Sequence, residues 1–171
     1  MKKFIALATA YWIAFFCALA YVESARAAEA PVAFKITRVA DGDTFFGCLI
    51  EENVSLSPVP CFAVRVNNLN TPEKRLCHSK EMAAANACER CTAGSTLGLR
   101  AKMHAEKILK DDPVVLLTII TRDRYSRVVG DIRLPDGTDY AATMIALEFG
   151  APYPCKNGKC GPRPRPWCPA Y

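Results

Sequence analysis

Nine cysteines in a chain of 171 residues limit how it can fold more than any other feature of the sequence. Cys17 lies in an apolar leader, and eight more follow it: Cys48, Cys61, Cys77, Cys88, Cys91, Cys155, Cys160 and Cys168. An even number of cysteines in an exported chain indicates disulfide bonds rather than free thiols. The body of the protein is therefore expected to be cross-linked, and most of the pairings stay open at this point.

The spacing of the cysteines along the chain reduces the number of possible pairings for some of them. Cys48 and Cys61 flank a predicted hairpin loop and could be joined across it. Cys77 could pair with Cys88 or Cys91, and the tail cysteines could pair with one another or with the body.

A zinc site is the alternative use of the middle cysteines. Cys77-His78 and Cys88-x-x-Cys91 supply three thiolates and one imidazole, a ligand set that tetrahedral zinc accepts. An oxidising compartment disfavours free thiolates, so disulfides are the preferred prediction.

Residues 1–27 have the pattern of an export signal. Met1-Lys2-Lys3 is a positive start, residues 4–22 are almost wholly apolar, and Ala25-Arg26-Ala27 offers small residues where a signal peptidase cleaves. The apolar run is also close to the roughly 20 residues that span a bilayer, so an uncleaved inner-membrane anchor is the alternative. We predict a secreted or periplasmic protein with a domain over residues 28–153 and a tail rich in proline and cysteine over residues 154–171.

The charge balance suits a polyanionic partner without predicting one. The chain has 22 Lys and Arg against 17 Asp and Glu, a net charge of +5, and without residues 1–27 the balance is 19 against 16, or +3. Charge of this size leaves the class of partner open.

Hydrophobic patterns predict five strands, over residues 32–39, 45–50, 62–69, 114–120 and 127–134. Asp41-Gly42-Asp43 is interpreted as a turn or bulge between the first two strands, and residues 51–60 as a surface loop. The continuous apolar run of residues 114–120 predicts a central strand buried on both faces.

Helices are predicted over residues 80–91 and, with a clear apolar stripe, over residues 96–110. His104 lies on that stripe and is interpreted as a packing residue rather than a ligand or base, and His78 as structural or exposed to solvent.

A last helix follows the turn at Asp136-Gly137. We expect Thr138 to cap it, Tyr140, Met144 and Leu147 to share one face, and Gly150 to end it. A helix after the third strand and another after the fifth make an α+β protein or a small barrel.

Three blocks in order resemble the staphylococcal-nuclease-like (thermonuclease) family. The first joins Asp41-Gly42-Asp43-Thr44 to Arg65 and to Thr71-Pro72-Glu73. The second is Asp123-Arg124-Tyr125-Ser126-Arg127 with the Val-Val-Gly that follows, and the third is Asp136-Gly137 with a short helix that ends near Gly150-Ala151-Pro152-Tyr153. The similarity covers roughly residues 34 to 153. It implies a five-stranded Greek-key barrel of the OB type, a calcium cofactor, and hydrolysis of DNA and RNA.

The resemblance implies a metal site, at which this chain differs from the family in one ligand. Asp43 is expected as a direct calcium ligand, Asp41 near the ion, and Thr71 through its backbone carbonyl. The family has an aspartate where this chain has Asn70. Because calcium affinity follows ligand charge, the site is expected to be weaker, or to hold no metal at all.

The resemblance also assigns the catalytic groups. Glu73 corresponds to the general base that activates water, and Arg65 and Arg127 to the arginines that stabilise charge on the phosphate. Glu73 is expected to stay ionised near a cation and two arginines.

Substrate contacts are expected from Arg124, Tyr125 and Tyr153. Ser126 stands where the family has a glycine, and a positive φ there would strain serine by about 1 kcal/mol.

Two main classes of function follow, and a third that is less specific. The first is an exported, monomeric, calcium-dependent phosphodiesterase that cuts flexible or single-stranded DNA and RNA with little sequence preference, because it recognises phosphate more than base edges. The second is a non-catalytic OB-type module that binds nucleic acid or a protein. A third is a disulfide-stapled envelope protein with a vestigial metal pocket.

Overall fold

The computed structural model describes residues 30–50, 59–79, 82, 88–111, 113–156 and 159–168. Its centre is a closed barrel of five strands, with two helices packed beside it. The barrel strands are β1 Val32–Asp41, β2 Thr44–Leu49, β3 Cys61–Val66, β5 Val114–Arg122 and β6 Val128–Arg133. The short strands are β4 Asn68–Asn70, β7 Ala151–Tyr153, β8 Cys155–Lys156 and β9 Lys159–Cys160. The helices are α1 Thr92–Ile108 and α2 Tyr140–Ala146.

The barrel closes in the order β1-β2-β3-β6-β5, with β5 pairing back onto β1. Neighbouring strands are antiparallel except β3 and β6, which are parallel. Helix α1 follows the third barrel strand, and α2 follows the fifth. The predicted α+β class, the closed five-stranded barrel and the positions of these two helices are confirmed.

The prediction that residues 114–120 are buried on both faces is wrong. Val115 and Leu117 face the core, but Leu116 and Ile120 are 44% and 51% exposed. A barrel strand has one face inside and one outside, and apolar residues on its outer face are hidden only where another element covers them. The core is made of alternate barrel residues and one face of each helix, among them Phe34, Phe45, Val64, Leu69, Leu117, Ala101, Ala105, Tyr140 and Met144.

The predicted strand over residues 62–69 is two strands, β3 and β4. Asn68, the first residue of β4, has a positive φ of 56°, a conformation that asparagine tolerates better than most residues. The chain changes direction there, and β4 pairs with β7 instead of with the barrel. This turn carries Asn70 and Thr71 toward the end of the barrel.

Helix α1 begins four residues earlier than its apolar stripe indicates. Cys91 is the N-cap, and its Sγ accepts a hydrogen bond from Gly94 N at 3.2 Å. The first turn is rich in small and polar residues, so its hydrophobic pattern does not predict a helix.

Helix α2 differs from its prediction at both ends. Asp139, not Thr138, is the N-cap, and its carboxylate accepts from Ala142 N. Leu147 lies beyond the last turn and is 48% exposed, and the positive φ at the C-terminus belongs to Glu148 rather than to Gly150. Gly150 serves a close approach instead, since a Cβ there would lie 2.9 Å from Asn70 O.

Three disulfides are present among the described residues: Cys48–Cys61, Cys77–Cys88 and Cys91–Cys168. The first was predicted, the second was one of two expected pairings, and the third ties the tail to the body. The zinc alternative is wrong, because its three cysteines are all oxidised. Cys155 and Cys160 are directly opposite each other in the β8–β9 ladder.

Some predictions concern residues outside the described ranges. These are the leader and its cleavage before Ala28, most of the loop at 51–60, and most of the helix over residues 80–91. Within the described ranges, no helix has the length and apolarity needed to cross a membrane. The three disulfides are compatible with an extracellular or periplasmic location.

Candidate functional site

Asp43, in the turn between β1 and β2, is the buried centre of the candidate site. Its carboxylate forms an ion pair with Arg65 and accepts hydrogen bonds from Thr71 N at 2.8 Å and from the Thr44 hydroxyl at 3.1 Å. Burial raises the pKa of the Asp43 carboxyl, whereas the charge of Arg65 and the hydrogen bond from Thr71 N lower it. The lowering is the larger effect, so the pKa of Asp43 lies below the ordinary value. The carboxylate is therefore held in its charged form.

Arg65 links three segments of the chain from its position on β3. Besides Asp43, its guanidinium donates to Leu69 O at 3.0 Å and to Asn70 Oδ1 at 3.3 Å. The residue is 7% exposed, and it lies opposite Thr44 in the β2–β3 ladder. The site residues Asp43, Arg65, Asn70 and Thr71 are thus brought together as one buried cluster, which we call the Asp43 cluster.

Asn70 is bound on both sides of its amide. Its Oδ1 faces Arg65, and its Nδ2 donates to Pro164 O in the C-terminal tail at 3.0 Å. An aspartate here would set a carboxylate oxygen against a carbonyl oxygen, which has no proton to share. The tail therefore gives a physical reason for an asparagine at this position.

Glu73 lies next to the Asp43 cluster and is bound by the tail. Its Oε1 is 2.8 Å from Arg163 Nη1, and its side chain is about a quarter exposed. Burial and then the charge of Asp43 raise the pKa of Glu73, while Arg163 lowers it, and the result is a pKa above the ordinary value. Glu73 is thus less acidic than an exposed glutamate.

Helix α1 fixes the backbone that carries Glu73. Gly98 lies so close to this segment that a Cβ there would be 2.5 Å from Pro72 O and 2.7 Å from the Glu73 carbonyl carbon. Backbone atoms cannot move aside as a flexible side chain can, so this helix position requires glycine.

Two oxygens of the predicted calcium ligands are buried without a hydrogen-bond partner in the described part of the chain: Asp41 Oδ1 and Thr71 Oγ1. Lys74 Nζ is 3.1 Å from Asp41 Oδ1, as an ion pair without hydrogen-bond geometry. Thr71 Oγ1 lies close to Gly42, where an added Cβ would be 3.1 Å from it, and Asp41 is the residue before Gly42 in the chain.

This donor set fits a hard cation in kind, because carboxylate, hydroxyl, amide and carbonyl oxygens are the ligands of calcium. Each carboxylate of the set already has a protein cation beside it, Arg65 at Asp43 and Lys74 at Asp41. In the ranges that the structure covers, no three His, Cys, Asp or Glu side chains are grouped so as to hold a metal.

Arg127 lies at the β5–β6 turn and is bound within that turn. Its Nε and Nη2 are 2.8 and 2.7 Å from Asp123 Oδ2, and the other oxygen of Asp123 accepts from the backbone N–H groups of Arg127 and Tyr125. Burial raises the pKa of Asp123, and the hydrogen bonds from Arg127 lower it below the ordinary value.

The same turn presents an aromatic ring between two arginines. Tyr125 is 59% exposed, and the guanidinium carbons of Arg124 and Arg127 lie 4.8 and 5.5 Å from its ring centroid. Ser126 has a φ of 62°, so the strain expected from serine in place of glycine is present. Arg124, Tyr125 and Arg127 thus form hydrogen bonds and ring contacts within their own turn.

Tyr153 and His104 contact neighbouring parts of the chain, whereas His78 is exposed. The hydroxyl of Tyr153 donates to Gly161 O in the tail at 2.9 Å. His104 stacks on Phe149 with ring centroids 4.7 Å apart. It is a packing residue, as predicted.

The part of the tail that reaches the site was not among the predicted site residues. Arg163 contacts Glu73, and Arg165 Nη1 is 3.0 Å from Glu89 Oε1, a carboxylate only 1% exposed. Trp167 lies against helix α1 at Gly94, where an added Cβ would be 2.7 Å from its Cδ1. The available signal was the alternation Pro162-Arg163-Pro164-Arg165-Pro166, which sets two arginines two residues apart on a stiff extended chain.

Comparison with known proteins leaves the resemblance as a prediction. No family model matches the chain, and no curated protein was found to match it.

Proposed function

We propose that this protein is an exported, calcium-dependent nuclease of the staphylococcal-nuclease-like family, built on an OB-type barrel. It hydrolyses phosphodiester bonds of DNA and RNA with low sequence specificity, as a secreted or periplasmic monomer. The observation that carries the proposal is the Asp43 cluster, where strand turns far apart in sequence bring Asp43, Arg65, Asn70 and Thr71 together beside Glu73.

Glu73 is the general base of the proposed reaction. A water oxygen forms a bond to phosphorus while Glu73 takes a proton from that water. The bond from phosphorus to the leaving ester oxygen breaks, its electron pair stays on that oxygen, and a proton from solvent completes the product. A pKa above that of an exposed glutamate makes Glu73 a stronger base, as long as the carboxyl is ionised.

Arg65 stabilises the charge that builds up on the phosphate. Its guanidinium is planar, permanently charged, and held by Leu69 O and Asn70 Oδ1 at 3.0 and 3.3 Å. A donor fixed in this way loses little energy to reorganisation when charge develops.

Calcium would be held by Asp41, Asp43, the side-chain oxygen of Asn70 and the carbonyl of Thr71. When bound, it supplies positive charge for the phosphate oxygens. Asp41 Oδ1 and Thr71 Oγ1 are buried and accept no hydrogen bond from the described part of the chain, which supports a cation at this end of the barrel.

The β5–β6 turn supplies the remaining substrate contacts in this proposal. Arg124 and Arg127 bind phosphate, and the exposed ring of Tyr125 stacks on a sugar or base. Tyr153 lies on the tail side of the site. Contacts of this kind carry little sequence information, so low specificity is expected.

A second candidate is a non-catalytic module that binds single-stranded nucleic acid or a protein. It is favoured by the pairing of every carboxylate in the site with a protein cation: Asp43 with Arg65, Asp41 with Lys74, and Glu73 with Arg163. Such pairing leaves the site neutral without a metal.

Digestion of nucleic acid separates the two candidates. Purified, oxidised protein is incubated with supercoiled plasmid DNA and with single-stranded RNA, in millimolar calcium and again with chelator. We expect cleavage of both substrates with calcium and none with chelator. Glu73→Gln should keep the circular dichroism spectrum and the thermal midpoint, and lower turnover about 100- to 10,000-fold.

The matched control is Glu106→Gln, which removes a carboxylate paired with Lys102 on the exposed side of α1. Its activity should equal that of the wild type. Equal rates for wild type and Glu73→Gln would remove Glu73 from the reaction, and intact substrate at every calcium concentration would favour the binding module.

A further inference from the structure

The last described segment of the chain, Gly161 to Cys168, lies against Asn70 of the Asp43 cluster and against Glu73 and Tyr153. Three contacts attach it there: Tyr153 OH to Gly161 O at 2.9 Å, Arg163 Nη1 to Glu73 Oε1 at 2.8 Å, and Asn70 Nδ2 to Pro164 O at 3.0 Å. We call this segment the tail strap. Its contacts go to three residues that the sequence analysis places in the site.

A disulfide bond and a buried ion pair hold the tail strap in place. The disulfide Cys91–Cys168 joins its end to the N-cap of α1, and Arg165 pairs with the fully buried Glu89. Breaking a buried charge pair leaves a charge without compensation, so the strap is held in one position. Prolines on both sides of Arg163 also restrict its backbone before any contact is made.

The position of Arg163 differs from that of Arg127. Arg127 gives two guanidinium nitrogens to Asp123 in its own turn. Arg163 contacts the proposed base directly, and its charge also acts on Asp43. The ion pair of Arg163 with Glu73 therefore lies within the site, whereas the ion pair of Arg127 lies within its own turn.

We propose that Arg163 is a phosphate-binding catalytic residue of this site, supplied by the tail strap as the second guanidinium beside Arg65. The proposal rests on the proposed function and names a further residue for it. A guanidinium carries five N–H donors in a fixed fork, so a single side chain can contact Glu73 and also donate to a phosphate oxygen. The Arg163 side chain is 21% exposed, so solvent reaches part of it.

Arg163 and Arg127 are compared by substitution. Initial rates of plasmid and oligonucleotide cleavage in calcium are measured for Arg163→Ala, Arg163→Lys, Arg127→Ala and the control Arg133→Ala, an exposed arginine on the outside of β6. We expect Arg163→Ala to lower kcat about 100- to 1,000-fold with a smaller change in KM, as for loss of one fixed donor. Arg163→Lys and added guanidinium ion should each restore part of kcat, while Arg127→Ala should cost less than Arg163→Ala.

A binding measurement separates failure of this inference from failure of the proposed function. The affinity of a fluorescent ten-residue oligothymidylate is measured for the same variants in calcium. Arg163→Ala should bind about tenfold more weakly than wild type and Arg133→Ala equally well. An inactive wild type with this binding pattern would overturn the nuclease and retain Arg163 as a phosphate ligand.

Rates and affinities of Arg163→Ala within twofold of wild type would overturn the role of Arg163 while leaving the nuclease in place. A faster Arg163→Ala would overturn it as well, since the tail strap would then mask Glu73.

Discussion

The protein has two aspartate–arginine ion pairs, one buried in the barrel and one partly exposed in a turn. Asp43 and Arg65 come from different parts of the barrel, and their side chains are 6% and 9% exposed. Asp123 and Arg127 come from one turn, four residues apart, and are 20% and 24% exposed. The first pair joins segments that only the complete fold brings together, whereas the second can form within a short stretch of chain.

The difference shows which ion pairs carry information about a site. A local, partly exposed pair contributes about 0–1 kcal/mol and reports mainly on its own turn. A buried pair costs much to desolvate and needs further hydrogen bonds, which Asp43 receives from Thr71 N and the Thr44 hydroxyl. Such a pair constrains the whole fold around it.

The largest expected effect is the loss of the buried pair. Asp43→Asn leaves Arg65 charged and buried without its countercharge, so we expect a loss of about 3–5 kcal/mol in the free energy of unfolding, measured in urea. The double variant Asp43→Asn/Arg65→Met should be less destabilised than the sum of the single variants, because the stranded charge is gone. Additive losses would contradict the coupling.

The pH dependence of stability gives a further check on this pair. Although burial raises the pKa of Asp43, Arg65 and Thr71 bring it below the unfolded value. The corresponding stability is therefore complete above the unfolded pKa and is lost as pH falls through the folded pKa. Wild type should lose more stability than Asp43→Asn on acidification, and parallel curves would argue against the pair.

A smaller, stabilising effect is expected in the β5–β6 turn. Ser126 has a φ of 62°, a strained conformation for serine, so Ser126→Gly should raise the free energy of unfolding by up to about 1 kcal/mol. Ser126→Ala is the matched control and should not stabilise, because alanine has the same backbone restriction. A thermal midpoint that rises with alanine and not with glycine would contradict this account.

The smallest effect is expected from the local pair itself. In Asp123→Asn the side-chain oxygen can still accept from Tyr125 N or Arg127 N, while the charge and the hydrogen bond from Arg127 Nε are lost. We expect a loss of about 0.2–1 kcal/mol, screened by salt. A loss as large as that of Asp43→Asn would remove the distinction between the two pairs.

The strands of the barrel could be predicted from sequence because their signals, alternation and turn chemistry, are local and regular, whereas the barrel itself was implied by the resemblance. Of the residues that the resemblance assigns to the site, Asp43, Arg65, Asn70 and Thr71 lie in one cluster, while Arg127 is paired within its own turn. The outer face of β5 was misjudged, because an apolar run does not say which of its residues face outward.

The tail could not be placed from sequence. Its contacts with Glu73, Asn70 and Glu89 join residues 76 to 94 positions apart in the chain. No periodicity links residues at such separations, and the disulfide that brings them together was one of many open pairings. The N-cap at Cys91 was missed for a related reason, since its side chain is half of that disulfide.

The packing of Trp167 against Gly94 gives the molecule an intrinsic fluorescence probe. Of the two tryptophans in the chain, Trp12 lies in the predicted leader, so removal of the leader would leave Trp167 alone. Its fluorescence would then report on a single place, the ring packed on the first turn of α1. Emission that shifts to longer wavelength before the barrel loses its circular dichroism would reveal detachment of the C-terminus as a separate step in unfolding.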